Sequence, residues 1–316
     1  MSQNNFPVTI KIDEPLQSIL MIFLDGVGIG KEDYQHNPFF KYKFKLFTKI
    51  FNEIPSTKKE FISGDGAYVF PTDARLGVAG FPQSGTGQAS ILCGINAPQF
   101  VGKHFGPFPY STLIPIIETK NIFRYFLSNN KKVYFANGYP KAFFNYLKSE
   151  KPRLSVTPLG CRLSGVKINR TTEVRRGKAI TAEIINSRWN QKLNYNLPEI
   201  KPGTAARRLL NISGQNHFTM YEYYLTDYIG HGRYDGDIEK TVSIIDEFLY
   251  TIITEMDKAK LTLLVCSDHG NFEDLSVKTH TLNNCFTLSA GKNAKILAQR
   301  IKNISEIKQE LIGTFL

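Results

Sequence analysis

Two rhythms of apolar and polar positions alternate along this chain. Residues 18–24 form a continuous apolar run closed by Asp25, the pattern of a buried strand, and residues 261–266 repeat it just ahead of Asp268. Residues 217–226 read as a strand ending at Asp227, and 132–136, 285–288 and the alternating segment 8–12 read as further strands. Apolar spacings of three and four predict helices over 42–54, 85–93, 122–127, 180–189, 238–256, 294–301 and 306–311. Pro82-Gln83-Ser84 opens the second of these, Gly94 stops it, and residues 198–203 read as a linker. Strands interleaved with helices predict an α/β protein. In an open α/β sheet ligands bind at the carboxyl ends of the strands, where Asp25, Asp227 and Asp268 all fall.

Between residues 101 and 204 the texture changes to Pro, Phe, Lys and Asn, which suggests an inserted module. The expected division is a core of residues 1–100 and 205–316 with an inserted basic cap at 101–204. Charge supports the division. Residues 101–210 hold 20 Lys or Arg against 5 Glu and no Asp, whereas the rest of the chain holds 19 basic and 23 acidic residues. The net charge of +11 therefore comes wholly from the middle third. A basic module beside an acidic, histidine-bearing remainder suits a small anionic substrate such as a phosphate ester, although a solvated basic face is the plainer reading of charge alone.

Composition narrows the classes further. The four cysteines are scattered without a CxxC pair, which argues against structural zinc and a disulfide framework, and Cys93 and Cys266 read as buried thiols. No apolar run is long enough to span a membrane, and the polar residues 1–5 lack the basic start of a signal peptide. A cytoplasmic protein without a membrane partner is expected.

Three separated places carry metal-ligand residue types: Asp25; Asp227 with His231; and Asp268-His269, followed by His280. Carboxylate plus imidazole is a donor set that divalent ions such as Zn²⁺ and Mn²⁺ accept. Two such ions a few ångströms apart clamp the attacking and leaving oxygens of a phosphoryl group. Three of the six histidines fall in these motifs, while His36, His104 and His217 have no carboxylate partner in sequence. His104, Arg153 and Arg162, from the basic module, are candidate substrate contacts. Ser84 and Thr86 at the start of the predicted helix supply hydroxyls where free amides favour a phosphate. Ser84 read simply as a helix cap explains its own position equally well. The Gly26-x-Gly28-x-Gly30 turn lacks the rest of a dinucleotide fingerprint.

In this order, Asp25-Gly, Ser84-x-x-Gly, Asp227-x-x-Gly-His, Ser-Asp268-His269-Gly-Asn and His280-Thr-x-Asn resemble the alkaline phosphatase superfamily. Within it the similarity is to cofactor-independent phosphoglycerate mutases, with phosphopentomutase nearby, over residues 17–98 and 215–290. The resemblance implies a three-layer α/β/α core with an inserted smaller α+β cap, and two divalent ions, Mn²⁺ or Zn²⁺. By the same resemblance Asp227, His231 and His280 hold one ion, and Asp25, Asp268, His269 and the Ser84 oxygen hold the other. Ser84 is then the nucleophile, with Thr86 in reserve, and a phosphoserine is resolved by a substrate hydroxyl or by water. The mutases carry a histidine where Gln88 stands, and their Arg- and Asp-containing cap blocks are missing, so the resemblance carries the chemistry and not the substrate. Within the same superfamily the alternative is a phosphodiesterase or nucleotide pyrophosphatase. A non-catalytic metal protein gripping nucleic acid through its basic module ranks lower. Residues 101–210 show no nucleic-acid-binding signature, and Phe105, Phe108, Tyr110, Phe143 and Phe144 read as core.

Overall fold

A computed structural model describes residues 17–315, so the strand expected at 8–12 lies outside the described residues. The strands are β1 (Ser18–Leu24), β2 (Ile62–Gly64), β3 (Ala67–Thr72), β4 (Val133–Phe135), β5 (Asn137–Gly138), β6 (Ile180–Thr181), β7 (Phe218–Tyr223), β8 (Leu261–Cys266) and β9 (Cys285–Gly291). Seven form one sheet in the order β2-β3-β9-β8-β1-β7-β4, parallel from β8 to β4 and antiparallel at the β2-β3-β9 side. β5 and β6 make a small separate parallel pair.

Every residue of β1 is buried, because helices cover both faces of the sheet. Its side chains alternate between two apolar clusters. Leu20, Ile22 and Leu24 meet the helices Pro202–Ser213 and Ile238–Glu255 and the Phe39, Phe44 and Phe47 rings. Ile19, Met21 and Phe23 meet Ser84–Cys93, Ile122–Ser128, Ala294–Arg300 and Ile307–Phe315. The result is a three-layer α/β/α fold. The helix Ile238–Glu255 shows the local cause: Asp237 caps it by accepting from Lys240 N, and Val242, Ile245, Leu249 and Ile252 form its buried stripe. Burying each such side chain stabilises the fold by roughly 1.5–3 kcal/mol.

Some elements depart from the sequence reading. Residues 180–189 are not one helix: Ile184 and Asn186 adopt left-handed backbone conformations, so a helix begins only at Ser187–Leu193. Segment 42–54 is broken by Lys43 (φ 48°) and stopped at Asn52 (φ 56°), leaving only the π-helical Phe47–Phe51 and a short helix before it, Pro38–Lys41. Residues 202–213, expected in part as linker, are helical, with Pro202 in the first turn where it needs no N–H partner. Strand β7 ends at Tyr223, and Asp227 lies on the short helix Leu225–Gly230.

The boundary drawn at residue 101 does not coincide with a boundary in the packing. β4 hydrogen-bonds to β7 and covers that sheet edge, which would otherwise present unpaired backbone groups. Phe123, Phe126, Phe135, Val156 and Cys161 share a cluster with the helix Ser84–Cys93. Within 101–204 only Val174, Ala179, Trp189 and Leu197 gather into a small cluster of their own. Phe105, Phe108, Phe143 and Phe144 are half-buried and Tyr110 is exposed, so these aromatics are not core. The four cysteines are buried and free. No helix among the described residues is long and apolar enough to cross a membrane.

Candidate metal centre

The register of three parallel strands assembles the centre. β1 lies between β7 and β8, pairing Leu24 with Tyr223 and Phe23 with Cys266, so the three carboxyl ends are level. Asp25 and Asp268 follow directly from β1 and β8, and the turn after β7 brings Asp227 alongside them. The space between is tight. Gly26 has φ +69°, and a Cβ there would stand 2.9 Å from Asp227 Oδ1.

Two groups of donors result. His231 Nε2 lies 3.3 Å from Asp227 Oδ1 and 3.2 Å from His280 Nε2, which is itself 3.8 Å from Asp227 Oδ1. His269 Nε2 lies 3.4 Å from Asp25 Oδ1, 3.6 Å from Asp268 Oδ1 and 3.1 Å from Ser84 Oγ. Ligand atoms bound to one Zn²⁺ at about 2.0–2.1 Å in tetrahedral geometry stand about 3.3 Å apart, close to these separations. Asp227, His269 and His280 also come within 4.8 Å of one another, so the two groups adjoin.

The surroundings aim these atoms inward. His280 Nδ1 is 2.6 Å from the Pro82 carbonyl and His231 Nδ1 is 2.8 Å from the Lys278 carbonyl, so each Nδ1–H donates outward and leaves an Nε2 lone pair facing the cluster. Asn271 donates to Asp227 Oδ1 at 2.9 Å, and Thr226 holds the Asp25 carbonyl at 2.6 Å. Asp25 Oδ1 and Asp268 Oδ2 are buried without a hydrogen-bond partner. Buried carboxylate oxygens left unpaired beside inward imidazole lone pairs are costly unless a cation or proton compensates them. The residues therefore fit a pair of divalent ions.

The electrostatics agree. Burial pushes the Asp268 carboxyl above the usual carboxylate range, and Asp25 and Asp227 add to the push against the pull of His269. Burial opposes charge on His269, but Asp268 and Asp25 hold its imidazolium above its ordinary pKa. Burial, and then His269 stacked 3.7 Å away, drive His280 down to about 4.

Ser84 opens the helix Ser84–Cys93 and is nearly buried. Gly87, one turn on, permits that helix to lie against Asp268, since a Cβ there would be 2.8 Å from Asp268 Cβ. Thr86 is differently placed. Its hydroxyl donates to the Gln83 carbonyl and accepts from Phe105 N, tying down the next loop. His104 lines an open groove with Gln83 and Phe105, its Nε2 3.2 Å from the Val78 carbonyl. Arg153 stacks 4.6 Å over Phe108, whose carbonyl crowds Gly85 at the start of the Ser84 helix. Arg162 is exposed in the last turn of Val156–Ser164 and is not brought to the cluster.

Glu222 and Glu273 escaped the sequence reading, and Asn271 stood in the Asp268-His269-Gly-Asn motif without a role of its own. Glu222 sits on β7 where every position is buried, and burial followed by Asp25 and Asp268 raises its pKa to about 8.

Comparison with known proteins bears on this geometry. Residues 182–315 match the Metalloenzyme superfamily. No curated protein matches the chain. Alkaline phosphatase from the Antarctic bacterium TAB5 superposes with TM-score 0.54 at 10% identity, covering 95% of this chain and 98% of that one. A variant of the TAB5 enzyme with Mg bound in its M3 site gives 0.55 at 11% identity, covering 95% and 99%. A phosphoglycerate mutase from Leishmania mexicana matches more loosely, with TM-score 0.37 at 15% identity over 62% of this chain and 37% of that one. Likeness to the two TAB5 structures at these identities speaks to fold alone. The segment that matches the Metalloenzyme superfamily model holds Asp227, His231, Asp268, His269 and His280, and the chain as a whole has an alkaline-phosphatase-like fold.

Proposed function

We propose that this protein is a two-metal enzyme that transfers the phosphoryl group of a small phosphate monoester by way of Ser84. The observation that carries the reading is the placement of Ser84 Oγ, 3.1 Å from His269 Nε2, at the edge of two adjoining sets of inward-facing carboxylates and imidazoles. Asp227, His231 and His280 would hold one ion, and Asp25, Asp268 and His269 the other. When bound, the ions supply positive charge that lowers the pKa of the serine hydroxyl and offsets the charge on the phosphoryl oxygens.

The chain's own residues do the rest. The Nδ1 hydrogen bonds of His231 and His280 keep the donor lone pairs oriented, which removes reorganisation from the reaction. As the Ser84 hydroxyl gives up its proton to water, its Oγ bonds to phosphorus while the ester P–O bond breaks, and the departing oxygen takes a proton from water. Water or a second hydroxyl of the substrate then attacks phosphorus and releases the serine. A cavity of about 230 Å³ lined by Tyr139, Trp189, Glu222 and Tyr224 is a candidate place for the organic part of the ester. Arg153, stacked on Phe108, whose carbonyl lies against the start of the Ser84 helix, is a candidate cation of the middle segment to meet the phosphate.

The test is Ser84→Ala assayed with Mn²⁺ and with Zn²⁺ against panels of phosphate monoesters and diesters. Loss of activity by about 10³-fold or more, with the metals still bound, is expected. Full activity in the variant contradicts the reading, and preferred turnover of diesters would move it to a phosphodiesterase. Phosphate exchanged between positions of one substrate with little release marks a mutase, whereas released phosphate marks a phosphatase.

A further inference from the structure

We propose that Glu273 is a positioning residue that sets the geometry of both cation sites at once, an inference that rests on the two-metal reading above. Glu273 is 1% exposed and follows the Asp268-His269 motif closely. Its Oε2 accepts from Gly28 N at 2.9 Å and Asn271 N at 2.8 Å. Its Oε1 accepts from Asn283 Nδ2 at 3.0 Å and from the Thr281 hydroxyl. No lysine, arginine or histidine pairs with it among the described residues.

The origin of the four donors is the point. Gly28 lies just after Asp25, Asn271 just after His269, and Thr281 and Asn283 just after His280. Asn271 then extends the network through its side chain to Asp227 Oδ1 at 2.9 Å. One carboxylate therefore joins the segments that follow Asp25, His269 and His280, and it reaches the Asp227–His231 segment through the Asn271 side chain. Packing holds it in place as well. A Cβ at Gly28 would stand 2.5 Å from Glu273 Oε1, one at Gly30 would stand 2.7 Å from its carbonyl oxygen, and one at Gly270 would also collide with Oε1. Gly28 and Gly270 let two loops close on the carboxylate, and Gly30 lets the first of them lie against the Glu273 backbone.

An unpaired buried carboxylate is costly, and four donors offset that cost. A residue acting only as a stabiliser would have no reason to draw all its donors from ligand-bearing loops. Replacing one oxygen by an amide sets N–H against N–H on one side of the network, so the loops must part.

The experiment uses the full chain, stripped of metal with a chelator, titrated calorimetrically with Zn²⁺ and with Mn²⁺, and melted without metal. Glu273→Gln should weaken both binding events by about 10-fold or more and shift the visible spectrum of the Co²⁺-loaded protein. A variant with a lowered metal-free melting temperature but wild-type affinity for both ions, and an unchanged Co²⁺ spectrum, overturns the proposal. If Glu273→Gln does not fold, Thr281→Val and Asn283→Ala carry the test, each removing one donor while keeping the carboxylate. Weakening of both ions in these variants supports the proposal and unchanged affinities overturn it. Wild-type protein that binds no divalent ion sinks the two-metal reading, and this proposal with it; normal wild-type binding with an unaffected variant sinks only the role of Glu273.

Discussion

His231 and His280 turn their Nε2 atoms toward each other at 3.2 Å while a backbone carbonyl holds each Nδ1. Two lone pairs so oriented repel unless a cation lies between them, and Asp227 stands beside both. Substituting either histidine by alanine should therefore lower the stoichiometry of bound divalent ions from two to one. The Asp25, Asp268 and His269 side should keep its ion. Elemental analysis after dialysis checks this, and a variant that retains both ions contradicts the assignment.

Protons and cations compete for the same buried atoms. Asp268 and His269 both hold protons to higher pH than free side chains do. Burial and the Asp25 and Asp227 carboxylates keep Asp268 neutral, while against its own burial His269 is held charged by Asp268 and Asp25. A metal must displace those protons, so affinity should rise as pH rises from about 6 to about 9, with protons released on binding. Calorimetry in buffers of different ionisation enthalpy measures the release. Affinity independent of pH would contradict the expectation.

Glu222 makes a separate, metal-free prediction. Its pKa rises from 4.5 to about 8 on folding through burial and then Asp25 and Asp268. Between those values the unfolded chain has given up the proton and the folded protein keeps it, so the unfolded state binds fewer protons. Stability from this group therefore falls as pH rises through that window. Chelator-treated Glu222→Gln should gain on wild type from about pH 5 upward, by on the order of 2–3 kcal/mol at about pH 7. Urea unfolding at the two pH values tests this, and a gap that does not widen contradicts it.

Gly87→Ala should cost stability by about 1–3 kcal/mol, because its Cβ would press on Asp268 Cβ at 2.8 Å and on the Asp268 carbonyl at 2.9 Å. Relief requires the helix carrying Ser84 to retreat from His269. Catalytic loss should exceed the loss predicted from unfolding alone, as read from kcat/KM at a temperature where the variant is fully folded. Thr86→Val offers the contrast. It removes the bonds to Gln83 and Phe105 and should lower stability by about 1–2 kcal/mol while sparing far more activity than Ser84→Ala.

Much of the framework was legible from local pattern. The apolar runs of β1 and β8, the helix Ile238–Glu255 and the start of the Ser84 helix all follow from periodicity and caps, which depend on neighbours in sequence. Where the reading failed, the cause was also local: left-handed residues at Lys43, Asn52, Ile184 and Asn186 break helices whose apolar spacing looks continuous. The short strand β3 is held in the sheet by β9 across more than two hundred residues, with β2 added at its outer edge, and no local signal announces the β3–β9 pairing.

Local pattern set Asp25, Asp227 and Asp268 at or near strand ends, and the resemblance of the motifs to a known superfamily grouped them with Ser84, His231, His269 and His280. Tertiary structure alone decided how they face one another. It set Ser84 rather than Thr86 beside His269, left Arg162 outside, and drew β4 from the supposed cap into the main sheet. It also placed Glu222 and Glu273, which carry no distinctive local pattern, against the ligand-bearing loops. The physical reason is separation along the chain. The hydrogen bond from Gly26 N to Asp268 spans 242 residues, and only the parallel pairing of β1 with β7 and β8 brings such partners within reach.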